Sequence, residues 1–191
     1  MKEIASKYGV TIREWQNKDI DDYADLISDS EVMRFISNGK TRTQEIAAQE
    51  IKKFKKEASV YGWSRWVVEK SETGEFIGYV GFSNQEHGID LGGRAKKKFW
   101  GTVYPFISFF LAIQYGFENI GFMQFYTLTN IKNRQAISMN EKILYASFTE
   151  PVLETKYGPH LKIDYTKSLY DRVKDRNIAR IERLSSRMKT I

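Results

Sequence analysis

The stretch IDLGGRA, residues 89–95, decides the fold together with KKKFWG, residues 96–101, which follows it. Its alternating pattern predicts a strand with Asp90, Gly92 and Arg94 on one face. A glycine pair inside a strand weakens pairing, and it marks either a bulge or a close approach of a ligand to the backbone. After the turn, the apolar run from residue 103 to 117 predicts a long helix that ends near Asn119 and is buried against the sheet.

Strands and helices on both sides of this stretch follow an order typical of a mixed sheet. Upstream, the patterns predict a strand at 10–14, helical segments at 19–36 and from residue 44 onward, and a hairpin of strands at 63–69 and 76–82. Downstream, they predict strands at 122–128, 146–150 and 161–165 and a helix at 133–144. The expected fold is a single α/β (α+β) domain, with a mixed, mostly antiparallel sheet of six to seven strands and helices on both faces.

Composition excludes several classes of chemistry. The 191 residues include no cysteine and only two histidines, His87 and His160. Disulfides, cysteine metal sites and cysteine acyl-enzymes are therefore excluded, and neither histidine lies in a serine-hydrolase or zinc-protease motif. The N-terminus lacks an apolar signal region, and the most apolar stretch is too short to span a bilayer. We expect a cytoplasmic protein with no metal and no membrane partner.

The net charge of +6 is concentrated at the C-terminus. From residue 167 onward, eight basic residues face three acidic ones, and apolar residues recur every three to four positions. This pattern predicts a basic amphipathic helix or tail at 169–191, after a domain at 1–168. Three interpretations stay open: the helix packs on the domain, mediates a homodimer, or contacts RNA phosphates.

Four segments carry a resemblance to a known family. They are SDSEVMRF at 28–35, ETGEFIG at 72–78, DLGGR at 90–94 with Trp100-Gly101, and NRQAI at 133–137 with EKI at 141–143. In order and spacing they resemble the Gcn5-related N-acetyltransferase (GNAT) superfamily, especially its ribosomal-protein N-terminal acetyltransferase group, over roughly residues 10–165. The resemblance implies acetyl-coenzyme A as co-substrate, an amine as acceptor, and direct transfer in a ternary complex.

The resemblance also assigns site residues. It implies that Asp90 is a general base, while the alternative is a solvated carboxylate or one paired with Arg94. Asn140 takes the catalytic position where the family often has a tyrosine, although an amide cannot protonate a thiolate. Asn133 is a coenzyme contact, a helix N-cap, or both. The full set expected to bind the coenzyme is Leu91, Gly92, Gly93, Arg94, Trp100, Gly101, Thr102, Val103, Tyr104 and Asn133.

The loop expected to bind the coenzyme phosphates departs from the family pattern. Val103 adds a branched side chain where the family has bare backbone, and Pro105 removes one amide donor. The lysines at 96–98 either supply charge instead or form a solvated turn. These changes keep open a second function, a degenerate GNAT-like scaffold that binds protein or RNA, and a third, an acetyltransferase directed at RNA. The sequence does not identify the acceptor amine.

Overall fold

Backbone hydrogen bonds join eight strands into one sheet in the computed structural model, which describes residues 2–188. The spatial order is β1-β2-β3-β4-β5-β6-β8-β7, and every neighbouring pair is antiparallel except β5 and β6. The strands are β1 Glu3–Lys7, β2 Val10–Arg13, β3 Arg65–Lys70, β4 Phe76–Gln85, β5 Gly88–Ala95, β6 Gln124–Asn130, β7 Val152–Thr155 and β8 Gly158–Thr166.

Helices cover both faces of this sheet, as predicted. They are α1 Ile20–Ser28, α2 Ser30–Met33, α3 Gln44–Tyr61, α4 Tyr104–Tyr115, α5 Arg134–Leu144 and α6 Lys167–Met188. One core packs α1, α2 and α3 on residues such as Val67 and Tyr79. The other packs α4 and α6 on residues such as Val80 and Leu91. Because side chains alternate along a strand, neighbours such as Tyr79 and Val80 enter opposite cores.

Two strands differ from the sequence-based expectation. Strand β1 was not predicted because its residues are mostly exposed and lack a clear apolar period; Tyr8 and Gly9, both with positive φ, turn it back onto β2. The strand predicted at 146–150 is wrong. Helix α5 ends instead in a left-handed Tyr145, and of residues 146–150 only Phe148 is partly buried. The strand that pairs with β8 begins at Val152.

Helix α4 is almost entirely buried, as its apolar sequence predicts. Residues 107–113 are buried, and Pro105 is accommodated in the first turn, where no backbone donor is needed. The helix packs its length under the sheet, so its N-terminus is fixed beside the end of β5. This fixed position defines one end of the site described below.

Helix α6 packs on the domain. Tyr170, Val173 and Ile181 are buried, and the side-chain amide of Asn177 donates to the carbonyls of Ile143 and Val173. The packing interpretation of the basic C-terminal segment is therefore observed for the helix, while self-association and RNA contact stay predictions. Residues 189–191 of the predicted tail lie outside the described part of the chain.

Candidate active site

Strands β5 and β6 separate along most of their length. Their ladder contains one residue pair, Asp90 with Tyr126, whereas β5 forms eight pairs with β4 on its other side. Strand β6 is meanwhile paired with β8 from Gln124 to Asn130. Beyond Asp90, the edge of β5 that faces β6 therefore has backbone groups without a strand partner.

The two central glycines of β5, Gly92 and Gly93, have different surroundings. A Cβ on Gly93 would lie 2.8 Å from the carbonyl oxygen of Tyr79, so packing alone requires this glycine. A Cβ on Gly92 would meet only the Asp90 carboxylate, at 3.5 Å. The pairing with β4 runs without a register shift, so the pair does not form the bulge considered above. Gly92 instead leaves space beside Asp90.

A cleft of about 860 Å³ opens where the two strands separate. Its walls come from the end of β5, the loop before α4, the start of α5, and α2 with the turn after it. Of the residues predicted from sequence, the cleft is lined by Gly93, Arg94, Trp100, Gly101, Thr102 and Asn133. Asp90, Leu91, Gly92, Val103, Tyr104 and Asn140 lie outside its lining.

The start of α4 presents free backbone donors to this cleft. The amides of Trp100 and Thr102 bond within the loop, and that of Ile107 bonds to Val103. Among the described residues, the amides of Gly101, Val103, Tyr104 and Phe106 donate to no protein acceptor, and of these four residues Gly101 and Phe106 line the cleft. Unpaired N–H groups at a helix N-terminus, aligned with the helix dipole, form a favourable environment for phosphate.

The side chain of Val103 does not obstruct these donors. It packs against the core beneath α4 and does not line the cleft. The neighbouring Tyr104 ring packs edge-on against Phe99, with the Lys70 ammonium 5.5 Å from its centroid. The Trp100 indole donates to the carbonyl of Ala95 at 3.0 Å, which joins the loop to the end of β5. The loop is thus held open by contacts behind it.

The lysines at 96–98 are occupied in ion pairs. Lys96 bonds Asp22 and Asp25, while Lys97 bonds Glu31 and Lys98 bonds Glu75. Their role in the structure is to tie the loop to α1, α2 and the β3–β4 hairpin.

Other cations line the cleft instead. Lys132 and Arg134, at the start of α5, and Lys142, in its last turn, are exposed and form no ion pair among the described residues. Between the first two, Asn133 caps α5 by accepting from the amide of Ala136 at 3.2 Å. These cations were not predicted from the sequence, although Lys132 and Arg134 flank Asn133 and could have been found by considering its neighbours.

Asp90 lies at the point where the strands separate. Its side chain is 18% exposed, and Oδ2 is 4.0 Å from the guanidinium of Arg65, not paired with Arg94 as considered above. Burial raises the pKa of Asp90 to about 6, although the charge of Arg65 and a hydrogen bond from the Leu128 backbone lower it. The pKa of the adjacent Tyr126 is raised to about 12, by burial first and then by the charge of Asp90.

Asn140 lies in a buried polar network away from the cleft. Its Oδ1 accepts from the hydroxyls of Tyr165, at 2.6 Å, and Thr127, at 3.3 Å. Its Nδ2 donates to the carbonyl of Ala136 at 2.8 Å. The amide thus joins α5 to β6 and β8, and the structure gives it a structural position.

Residues 2–188 contain neither a cluster suited to a metal ion nor a helix that could cross a membrane. No group of three or more acidic, histidine or cysteine side chains there is arranged to hold a metal ion. In the same part of the chain, every helix is too short or too polar to cross a membrane.

Comparison with known proteins relates this geometry to one family. A family model described as an acetyltransferase (GNAT) domain matches residues 10–143. The uncharacterized protein YkkB of Bacillus subtilis is 27% identical over 122 residues, which cover 62% of this chain and 70% of that protein.

Solved structures show the same fold at low sequence identity. A GNAT-family acetyltransferase from Bacillus anthracis has a TM-score of 0.73 at 17% identity, covering 87% of this chain and 99% of that one. The ribosomal-protein-S5-alanine acetyltransferase from Vibrio fischeri has a TM-score of 0.71 at 12% identity, with 87% and 97% covered. The aminoglycoside acetyltransferase AAC(6')-Ib, solved with coenzyme A, has a TM-score of 0.69 at 16% identity, with 86% and 99% covered.

Proposed function

The chain belongs to the GNAT acetyltransferase family, and on that premise we propose that it transfers an acetyl group from acetyl-coenzyme A to a primary amine. The observation that carries the proposal is the separation of β5 from β6 directly in front of the free amides at the start of α4. An extended acetyl-coenzyme A molecule can form hydrogen bonds with the unpaired edge of β5 while its phosphates contact the N-terminus of α4.

The residues around the cleft fit such a donor. The free amides of Gly101 and Phe106, which both line the cleft, suit a pyrophosphate, and the side chain of Val103 packs against the core. Lys132, Arg134 and Lys142 add positive charge to the lining of the same cleft, which suits a ligand that carries several phosphates. Pro105 removes one donor, but its position in the first turn leaves the other amides in place.

Asp90 is proposed as the general base. An ammonium has no lone pair, so the acceptor must lose a proton before it attacks the thioester carbonyl. A carboxyl with a pKa of about 6 is mostly ionised at pH 7 and still basic enough to accept that proton, directly or through a water. The separated edge of β5 supplies backbone amides for the oxyanion, and binding both substrates in one cleft supplies proximity.

The acceptor is a protein N-terminus or a small-molecule amine. One structural relative is named for the S5 alanine and another for aminoglycosides, so fold similarity does not choose between these classes. The scaffold alternative rested on Val103 and Pro105 in the phosphate loop. Since the side chain of Val103 packs inward and Pro105 lies in the first turn of α4, where no backbone donor is needed, we favour the enzyme.

Two-substrate kinetics tests direct transfer. With acetyl-coenzyme A and an amine varied together, we expect intersecting double-reciprocal plots, because both substrates must be bound before transfer. Intact-mass measurement after incubation with acetyl-coenzyme A alone should show no stoichiometric acetyl-protein. Parallel plots with a stoichiometric acetyl-protein would contradict direct transfer.

A further inference from the structure

The side chain of Arg94 enters the cleft from the face of the sheet opposite α4. Arg94 is paired across the ladder with Tyr79, and its guanidinium carbon lies 5.4 Å from the centroid of that ring. The Tyr79 ring belongs to the core under α1 and α3. The backbone of β5 is proposed to contact acetyl-coenzyme A. The side chain of Arg94 instead faces the wall of the cleft that α2 forms.

This guanidinium has no carboxylate partner. Arg94 takes part in no ion pair among the described residues, and its Nε is inaccessible to solvent and has no hydrogen-bond acceptor. Within residues 2–188 its one hydrogen bond is from Nη1 to the sulfur of Met33, at 3.5 Å, and sulfur is a weak acceptor. By contrast, Arg13, Arg42 and Arg65 each lie beside a carboxylate. A partly buried cation left without an anion is unfavourable unless a ligand completes it.

A second arginine lines the same wall. Arg34, just after α2, is exposed, contacts the ring of Phe35, and forms no ion pair in the described part of the chain. The acidic residue nearby, Glu31, is bonded to Lys97 at 2.6 Å and so is already neutralised. The α2 side of the cleft therefore carries two guanidinium groups with no anion of their own.

The position of Arg94 relative to the proposed base limits what it can bind. Asp90 and Arg94 share one face of β5 and are four residues apart, roughly 13 Å along a strand. An acceptor whose amine lies near Asp90 can place a second group, several bonds away, at Arg94. The planar guanidinium forms paired hydrogen bonds with a carboxylate.

We propose that Arg94, with Arg34 at the rim, binds a carboxylate of the acceptor, so that the preferred acceptor is an amine that also carries a carboxylate. This inference rests on the proposed acetyltransferase function. The carboxylate belongs either to a free amino acid or to an acidic residue near a peptide N-terminus, and the experiment below separates these sources.

The test follows the Nε–H signal of Arg94 by ¹⁵N NMR in protein saturated with coenzyme A. Burial of Nε slows its exchange with water, and the signal is assigned by its loss in Arg94→Lys. The probes are the matched pairs L-glutamate with L-glutaminamide, which has no carboxylate, and the peptide amides Ala-Glu-Ala with Ala-Gln-Ala. We expect the signal to move with the carboxylate member of at least one pair and not with its amide. The pair that responds identifies the source.

Variants separate this proposal from the donor site. Arg94→Gln should lower the affinity for the carboxylate probe that moves the signal by about 10- to 100-fold, and it should leave the affinity for coenzyme A unchanged. The exposed Arg172→Gln, on α6, should change neither. The proposal is overturned if no carboxylate probe moves the signal, or if the amides move it equally. It is also overturned if Arg94→Gln weakens coenzyme A binding. Failure of the wild-type protein to bind coenzyme A would instead contradict the proposed function itself.

Discussion

The carboxylate of Asp90 lies 4.0 Å from the guanidinium of Arg65, with strand β4 between the two strands that carry them. Arg65 also donates to the hydroxyl of Ser83 at 2.8 Å, so its position is fixed. Burial and this cation act in opposite directions on the pKa of Asp90, and burial is the larger effect. The result is a carboxyl that titrates near pH 6, at the fork of the two strands.

The first prediction concerns the pH dependence of activity. If Asp90 is the base, kcat/KM rises about tenfold per pH unit up to pH 6 and levels off above it, because only the ionised carboxylate accepts the proton. Asp90→Asn should lower kcat by about 10²- to 10⁴-fold and remove the rise of kcat/KM below pH 6, its acidic limb. An unchanged profile in Asp90→Asn would exclude Asp90 as the base.

The same residue links pH to stability. Because the pKa of Asp90 in the folded protein is above its ordinary value, folding favours the protonated form, and stability is lost as pH rises from about 4 through 6. Asp90→Asn should therefore raise the free energy of unfolding at pH 7, by up to about 2–3 kcal/mol, and change it little at pH 4. Denaturant unfolding at both pH values measures this, and an equal effect at both would be inconsistent with the titration.

The third prediction isolates the electrostatic role of Arg65. Arg65→Met removes the charge that favours ionised Asp90, so the acidic limb of kcat/KM should move to higher pH. Ser83→Ala is the matched control, because it removes a hydrogen bond of Arg65 but keeps its charge. A limb that stays near pH 6 in Arg65→Met would show that the cation does not act on the base.

Asn140 should prove structural. Asn140→Leu keeps the branched shape of the side chain but leaves the buried hydroxyl of Tyr165 without its acceptor, at a cost of about 1–3 kcal/mol. The melting temperature should fall by roughly 2–10 °C. At 20 °C, below the transition, kcat/KM should stay within about twofold of wild type. A large loss of kcat with an unchanged melting temperature would instead support the catalytic role that the family resemblance implied.

The cations that line the cleft on α5 and just before it should contribute to the affinity for coenzyme A. Replacing Lys132, Arg134 and Lys142 together by glutamine should raise the Kd of coenzyme A by about tenfold and weaken its salt dependence, since each exposed charge contributes at most about 1 kcal/mol. The control replaces the exposed Lys18, Lys52 and Lys56 by glutamine. It makes the same change in net charge at positions outside the cleft. Equal effects of the two triples, measured by calorimetry, would mean that net charge alone is responsible.

Much of the fold could be predicted because local patterns agree with the tertiary packing. The stretch at 89–95 alternates as a strand, and the apolar run after it becomes a buried helix. Strand β1 has no such pattern, because as an exposed edge strand it buries little. The segment at 146–150 contains β-forming residues, but the chain there meets no strand to pair with until Val152.

The site was harder to predict because it depends on which side chains meet across the sheet. Sequence spacing placed Arg94 on the face of Asp90, but the cation nearest Asp90 comes from β3, two strands away. Val103 was expected to fill the phosphate loop, yet the direction of its side chain is set by the packing of α4. Neither relationship follows from distances along the chain.

Thermal unfolding with coenzyme A and acetyl-coenzyme A tests the central claim most directly. A ligand that binds only the folded protein stabilises it by about 2.7 kcal/mol at 100 times its Kd, which for a chain of this length raises the melting temperature by roughly 5–10 °C. We predict such a shift with both compounds. An unchanged melting temperature at saturating concentrations of both would contradict the donor site, and the fold would then serve as a scaffold.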